Sequence, residues 1–144
     1  MGGVCRQTKA GVVSFSGRPK VEIGTLFVSK KSKKLRLIVD ARRANRLFKP
    51  PPNTVLGSVE AWDRTRLEPE HDLFVAQEHV NDLFYRLAIP TELGEYFGLP
   101  AVDPTLLRKA LGARLPDSAR HALLTSGRIH PIMIVLPMGF PWEF

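Results

Sequence analysis

Two groups of side chains in this sequence have the types and spacing to do chemistry. The first is basic: Lys30, Lys31, Lys33, Lys34, Arg36, Arg42, Arg43 and Arg46 crowd one short stretch. A planar guanidinium offers paired donors to phosphate oxygens and an ammonium offers a point charge, so this group suits phosphate contact. A solvated basic surface is the alternative that charge alone leaves open. The second group lies in Leu73–Pro90, where Glu78 and His79 precede a lone Asp82 and the aromatic pair Phe84 and Tyr85. Carboxylates are the ligands hard divalent cations require, and imidazole serves magnesium poorly. Aromatic pairs most often fill a core. Other chemistries find no support. His71, His79, His121 and His130 show no zinc-ligand spacing with the single Cys5, and there is no nucleophile elbow or phosphate-binding glycine loop. Ser58, Ser118 and Ser126 read as caps and turns.

These side chains need elements to hold them. Residues 1–20, rich in Gly, Ser and Lys, read as a loosely ordered basic arm. Val21 to Val28 is strand-like, and Ser29–Lys34 is a short polar turn. Leu35 to Asp40 alternates, with Leu35, Leu37 and Val39 on one face and Arg36, Ile38 and Asp40 on the other. The pattern predicts an antiparallel hairpin with lysines at its tip. Pro50-Pro51-Pro52 then stops regular structure, and Ser58 can cap a helix from Val59 to about Arg66. Leu73 to Ala76 reads as a buried strand, and Tyr96 to Val102 as another. Asp103-Pro104 is a strong helix start, with an apolar stripe of Leu106, Leu107, Ala110 and Leu111 ended by Gly112. Asp117 opens a second helix that Gly127 ends. Ile129 to Leu136 is a final strand, for which Pro131 predicts an edge position or a bulge. The fold class expected is α+β.

With 144 residues, 44% hydrophobic and 24% charged, the chain is one domain of ordinary globular composition. No apolar run approaches a membrane span of roughly 20 residues, and no basic-then-apolar leader opens it, so no membrane partner is expected. An intracellular setting, the nucleus included, is expected, and one cysteine suits a reducing compartment. The net charge of +7 is uneven: residues 1–50 hold thirteen Lys and Arg against Glu22 and Asp40, whereas residues 51–144 hold eight against twelve acids. A basic lobe beside an acidic one is what a polyanion partner selects.

Three segments, in order, resemble reverse transcriptases of retroelements. Lys34 to Asn45 is similar to the family's fingers pattern, an Arg, an aliphatic strand and Asp-x-Arg-x-x-Asn, matched by Arg36, Val39, Asp40, Arg42 and Asn45. In Leu73–Pro90 a strand, a polar turn and an aromatic pair match the first catalytic motif, with His79 where the family has a metal-binding Asp. Val135 to Trp142 resembles the Leu-Pro-x-Gly turn. Residues 103–128 are then an inserted pair of helices. The resemblance implies a fingers-like part over 21–70 and a partial palm sheet with flanking helices over 71–144.

It also implies roles. Arg36 and one of the loop lysines, Lys30 or Lys31, would reach a deoxynucleotide triphosphate, Asp82 would lie near its phosphates, Phe84 would stack under its deoxyribose, and Met138 and Gly139 would line its base. Lys33, Lys34, Arg42, Arg43 and Arg46 would face an RNA or DNA template-primer, Asp40 and Arg42 also pairing within the fingers. Intact relatives would use two magnesium ions. In this chain no metal site and no intact catalytic set is expected, because His79 replaces one carboxylate, no Asp-Asp pair occurs, and the template-contacting helix would begin only at Phe144. The expected function is that of a polymerase fragment, inactive alone. The alternatives are a non-catalytic nucleic-acid-binding module using the 30–46 hairpin, or a partly folded remnant completed by another chain, with oligomeric state open.

Overall fold

The computed structural model describes residues 2–29, 35–53 and 59–141. In chain order its elements are α1 (Gly2–Lys9), β1 (Val13–Ser16), β2 (Gly24–Ser29), β3 (Leu35–Asp40), α2 (Arg42–Asn45), α3 (Val59–Asp63), α4 (Leu83–Arg86), α5 (Thr91–Gly94), α6 (Pro104–Leu111), a 3-10 turn (Gly112–Arg114), α7 (Asp117–Ser126) and β4 (His130–Met133). Helices mixed with two small antiparallel sheets, β1–β4 and β2–β3, make this an α+β chain. It divides into two units, Met1–Pro50 with Asp82–Phe144, and Pro51–Asn81.

In the larger unit the hairpin forms as its alternation requires, with Gly24 opposite Asp40 and Ser29 opposite Leu35. The lysine-bearing tip, 30–34, lies outside the described residues. The first twenty residues differ from the loose arm expected of them. Gly2–Lys9 is helical, and Val13–Ser16 pairs with β4 from Val13–Met133 to Ser16–His130. Val13 and Phe15 are buried while Ser14 and Ser16 are half-buried, so a period-2 signal was present in four residues whose partner lies at the far end of the sequence.

Two apolar clusters fill this unit. One gathers Ile23, Ala41, Ala44, Phe97, Leu99, Met133, Val135 and Phe140, with Phe97 fully buried. The other gathers Phe15, Leu107, Leu111, Ala119 and Ile129, against which Val4 and Cys5 of α1 pack. α6 and α7 therefore share a core with the N-terminal helix and strand. α6 starts as its sequence dictates: Asp103 Oδ1 accepts the N–H groups of Thr105 at 2.7 Å and Leu106 at 3.2 Å, with Pro104 at the first helical position. Leu107 and Leu111 are its buried face, while Leu106 is half-exposed. Gly112 and Gly127 close α6 and α7 at φ 56° and 67°, where a side chain would be strained.

Pro131 does not sit at an edge. β4 has β1 on one side and residues 97–102 on the other, where Leu99 N–H donates to Pro131 O at 2.7 Å and Met133 N–H to Phe97 O at 3.2 Å. In an antiparallel ladder Leu99 O would take the N–H of residue 131, which proline lacks. His130 Nδ1 stands 3.1 Å from Leu99 O instead, and its buried ring supplies the missing donor. The strand expected over Tyr96–Val102 is correspondingly broken into single bridges, Gly98 with Ile132 and Val102 with Ile129, because Pro100 interrupts it.

The smaller unit holds α3, which ends at Asp63, short of the Arg66 expected; its expected cap, Ser58, lies outside the described residues. The strand expected at Leu73–Ala76 is absent: residues 71–80 carry no regular structure and Phe74 is 90% exposed. Four apolar residues make a strand only where a neighbour takes their backbone groups, and none of the ladders among the described residues includes them.

Candidate nucleic-acid interface

The basic site is built on the hairpin and the turn of helix that follows it. β3 ends at Asp40, whose carboxylate takes Arg42 in a fork: Nε to Oδ1 at 2.8 Å and a terminal nitrogen to Oδ2 at 2.6 Å, with the Arg42 backbone N–H on Oδ1 at 3.2 Å. Those hydrogen bonds hold the Asp40 carboxyl down at about 2, below its ordinary 3.8, the side-chain bond from Arg42 contributing most. Arg42 is thereby committed to Asp40 and starts α2, on which Arg43 is exposed; Arg46 follows, also exposed. Arg36 is placed in β3 opposite Val28. Lys30, Lys31, Lys33 and Lys34 lie outside the described residues.

Asn45, the last residue of α2, reaches 94 positions along the chain: its Nδ2 donates to Gly139 O at 2.8 Å. Gly139 has φ 93°, a conformation that only glycine adopts without strain, and this turn carries Met138 half-exposed at its side. Around that bond Phe48, Phe97 and Phe140 pack as a cluster, with Phe48–Phe140 edge-to-face at 5.1 Å and Phe97–Phe140 at 5.2 Å. The segment leading into the turn is tied to the end of α4, through Leu136 N–H to Leu87 O at 2.8 Å and Ile89 N–H to Ile134 O at 3.0 Å.

No family model, curated protein or solved structure matches this chain.

The carboxylate–aromatic group is only partly assembled. Asp82 caps α4 in the left-handed region, φ 54°, and makes no side-chain capping bond. Asp tolerates that conformation better than most residues, which explains its place at a sharp entry into the helix. Phe84 and Tyr85 are half-buried, and Tyr85 packs on the Phe97 cluster, where burial and then the Asp82 carboxylate raise its phenol above the ordinary range. Glu78 and His79 belong to the smaller unit, and both are exposed in a segment without regular structure. His79 therefore does not end a strand.

A pair of magnesium ions asks for anionic oxygens held together. At the position where the resemblance puts the first carboxylate stands the imidazole of His79, a poor magnesium ligand, so this donor set does not fit. Among the described residues no three His, Cys, Asp or Glu gather into a metal-binding group, and no helix is long and apolar enough to cross a membrane. Sequence reasoning matched Asn45 to a pattern without foreseeing its partner, and dismissed His130 for lack of ligand spacing. The signal for His130 was the proline beside it.

Proposed function

We propose that this chain is a partial reverse-transcriptase-type domain, a fingers hairpin joined to the beginning of a palm, that holds nucleic acid and nucleotide phosphates without polymerising on its own. The observation that supports it best is the hydrogen bond from Asn45 to Gly139. Asn45 closes the Asp-x-Arg-x-x-Asn segment and Gly139 the Leu-Pro-x-Gly segment, two stretches singled out separately for the same resemblance. Leu136 to Leu87 adds the segment of Phe84 and Tyr85 to that meeting point. A chance match of short motifs gives no reason for the three to converge.

In this reading the hairpin supplies positive charge and the Gly139 turn supplies close backbone approach to a base. Loss of catalysis follows from the ligands. His79 stands where the resemblance puts a metal-binding carboxylate, while phosphoryl transfer depends on charge placed around the reacting phosphate. The test is primer extension by the purified chain on an RNA template with magnesium and deoxynucleotides, beside retention of the same template-primer on a filter. Retention without incorporation is expected. Incorporation would overturn the inactive reading, and absence of retention at low salt would overturn the nucleic-acid reading altogether.

A further inference from the structure

The tripeptide Ser-Gly-Arg occurs twice, at 16–18 and at 126–128, outside the basic stretch of 30–46. Both copies share one hydrogen bond: Ser16 Oγ accepts the backbone N–H of Arg18 at 3.3 Å while donating to Glu95 Oε2 at 2.9 Å, and Ser126 Oγ accepts the N–H of Arg128 at 3.2 Å. The first turn leaves β1 and the second leaves α7, elements that share the Phe15–Ala119 cluster. They also press on one another. A Cβ on Gly17 would collide with Ser126 Oγ and stand 3.1 Å from Ala122 O, so glycine is required for the approach.

As a result Arg18 and Arg128 line a single open cleft of about 600 Å³, together with Ser126, Glu22 and His130. Its lining holds two guanidiniums and one carboxylate, that of Glu22, whose Oε2 stands 3.6 Å from His130 Nδ1, while Glu95 lines the neighbouring cleft with Arg18. Two guanidiniums against one carboxylate leave a positive surplus in the cleft that an anion relieves, and planar guanidiniums suit the oxygens of phosphate; the Ser126 hydroxyl is committed to Ala122 O and Arg128 O and only shapes the turn.

We infer that the twin Ser-Gly-Arg turns form a phosphate-binding site in which Arg18 and Arg128 donate to the oxygens of one phosphate group. The group is supplied either as free phosphate or as a phosphodiester of a nucleic-acid strand. Neither arginine belongs to the segments behind the polymerase reading, so the site stands or falls apart from it.

The full chain is titrated by amide NMR with inorganic phosphate, and separately with a short single-stranded RNA. The same titrations are run on R18Q/R128Q and on a control with Lys30, Lys31, Lys33 and Lys34 changed to Gln. Saturable shifts at the Arg18 and Arg128 amides are expected, weakened about tenfold or more in R18Q/R128Q and retained in the lysine control. Shifts with phosphate alone identify the free anion as the ligand; shifts with RNA alone identify the strand. No shift at either turn with either ligand, or equal affinity in R18Q/R128Q, overturns the site. Where phosphate also leaves both turns unshifted, RNA binding lost in the lysine control but kept in R18Q/R128Q overturns the site while leaving the polymerase reading intact. The reverse result supports the site and removes the hairpin from the account.

Discussion

Asp40 is the one carboxylate among the described residues whose titration is shifted, and everything that lowers it comes from Arg42. Because its folded value lies below the ordinary one, the contribution of this pair is complete above 3.8 and is lost as pH falls toward about 2. The expected result is an Asp40 carboxyl midpoint near 2 by carbon-13 NMR. In Arg42→Gln it should rise most of the way back, the backbone N–H keeping part of the shift. A midpoint that does not move would show that the fork is not what holds it. Asn45 is the other decisive side chain. Asn45→Ala removes the bond to Gly139 O but also a buried Oδ1 that finds no hydrogen-bond partner among the described residues, so the loss in urea-measured stability should be modest, about 0.5–1.5 kcal/mol. A neutral result would mean the bond does not bind the α2 end to the Gly139 turn.

At the scale of elements, β4 carries the sharpest prediction. His130→Leu strips Leu99 O of its donor inside the fold, and the expected cost is about 1–3 kcal/mol. Adding Pro131→Ala restores a backbone N–H facing the same carbonyl and should recover much of the loss; no recovery would refute the substitution of ring for backbone. For α6, Asp103→Ala leaves two N–H groups without their cap and should cost about 1 kcal/mol by thermal melting. Signals of this kind are legible in the residues themselves: the Asp103-Pro104 start, the Gly112 and Gly127 stops, and the alternation of the hairpin are all local. What sequence reading missed was non-local. Val13-Ser-Phe-Ser becomes a strand only because Met133 to His130 lie beside it, and Leu73–Ala76 fails to become one because no ladder takes it in. Pro131 misled in the same way, since the carbonyl it leaves without a donor is that of Leu99, which His130 reaches across 31 positions.

Over the whole molecule, function in this account follows from where charge and carboxylates fall. Thirteen of the basic residues lie in the first fifty positions, and among the described residues no three His, Cys, Asp or Glu gather into a metal-binding group. The site was legible as a list of residues and as a direction of charge. Which of them meet was not, because Asn45 and Gly139 are joined by folding across most of the chain. The most direct measurement is the affinity of the chain for an RNA–DNA template-primer as a function of salt, for the unmodified protein and for Lys30, Lys31, Lys33 and Lys34 changed together to Gln. Each phosphate that no longer meets a cation lowers the log–log slope by about 0.7–0.9, so a steep dependence should flatten by roughly 3 in the variant. Binding that ignores salt, or a slope unchanged by removing the four lysines, would contradict the account.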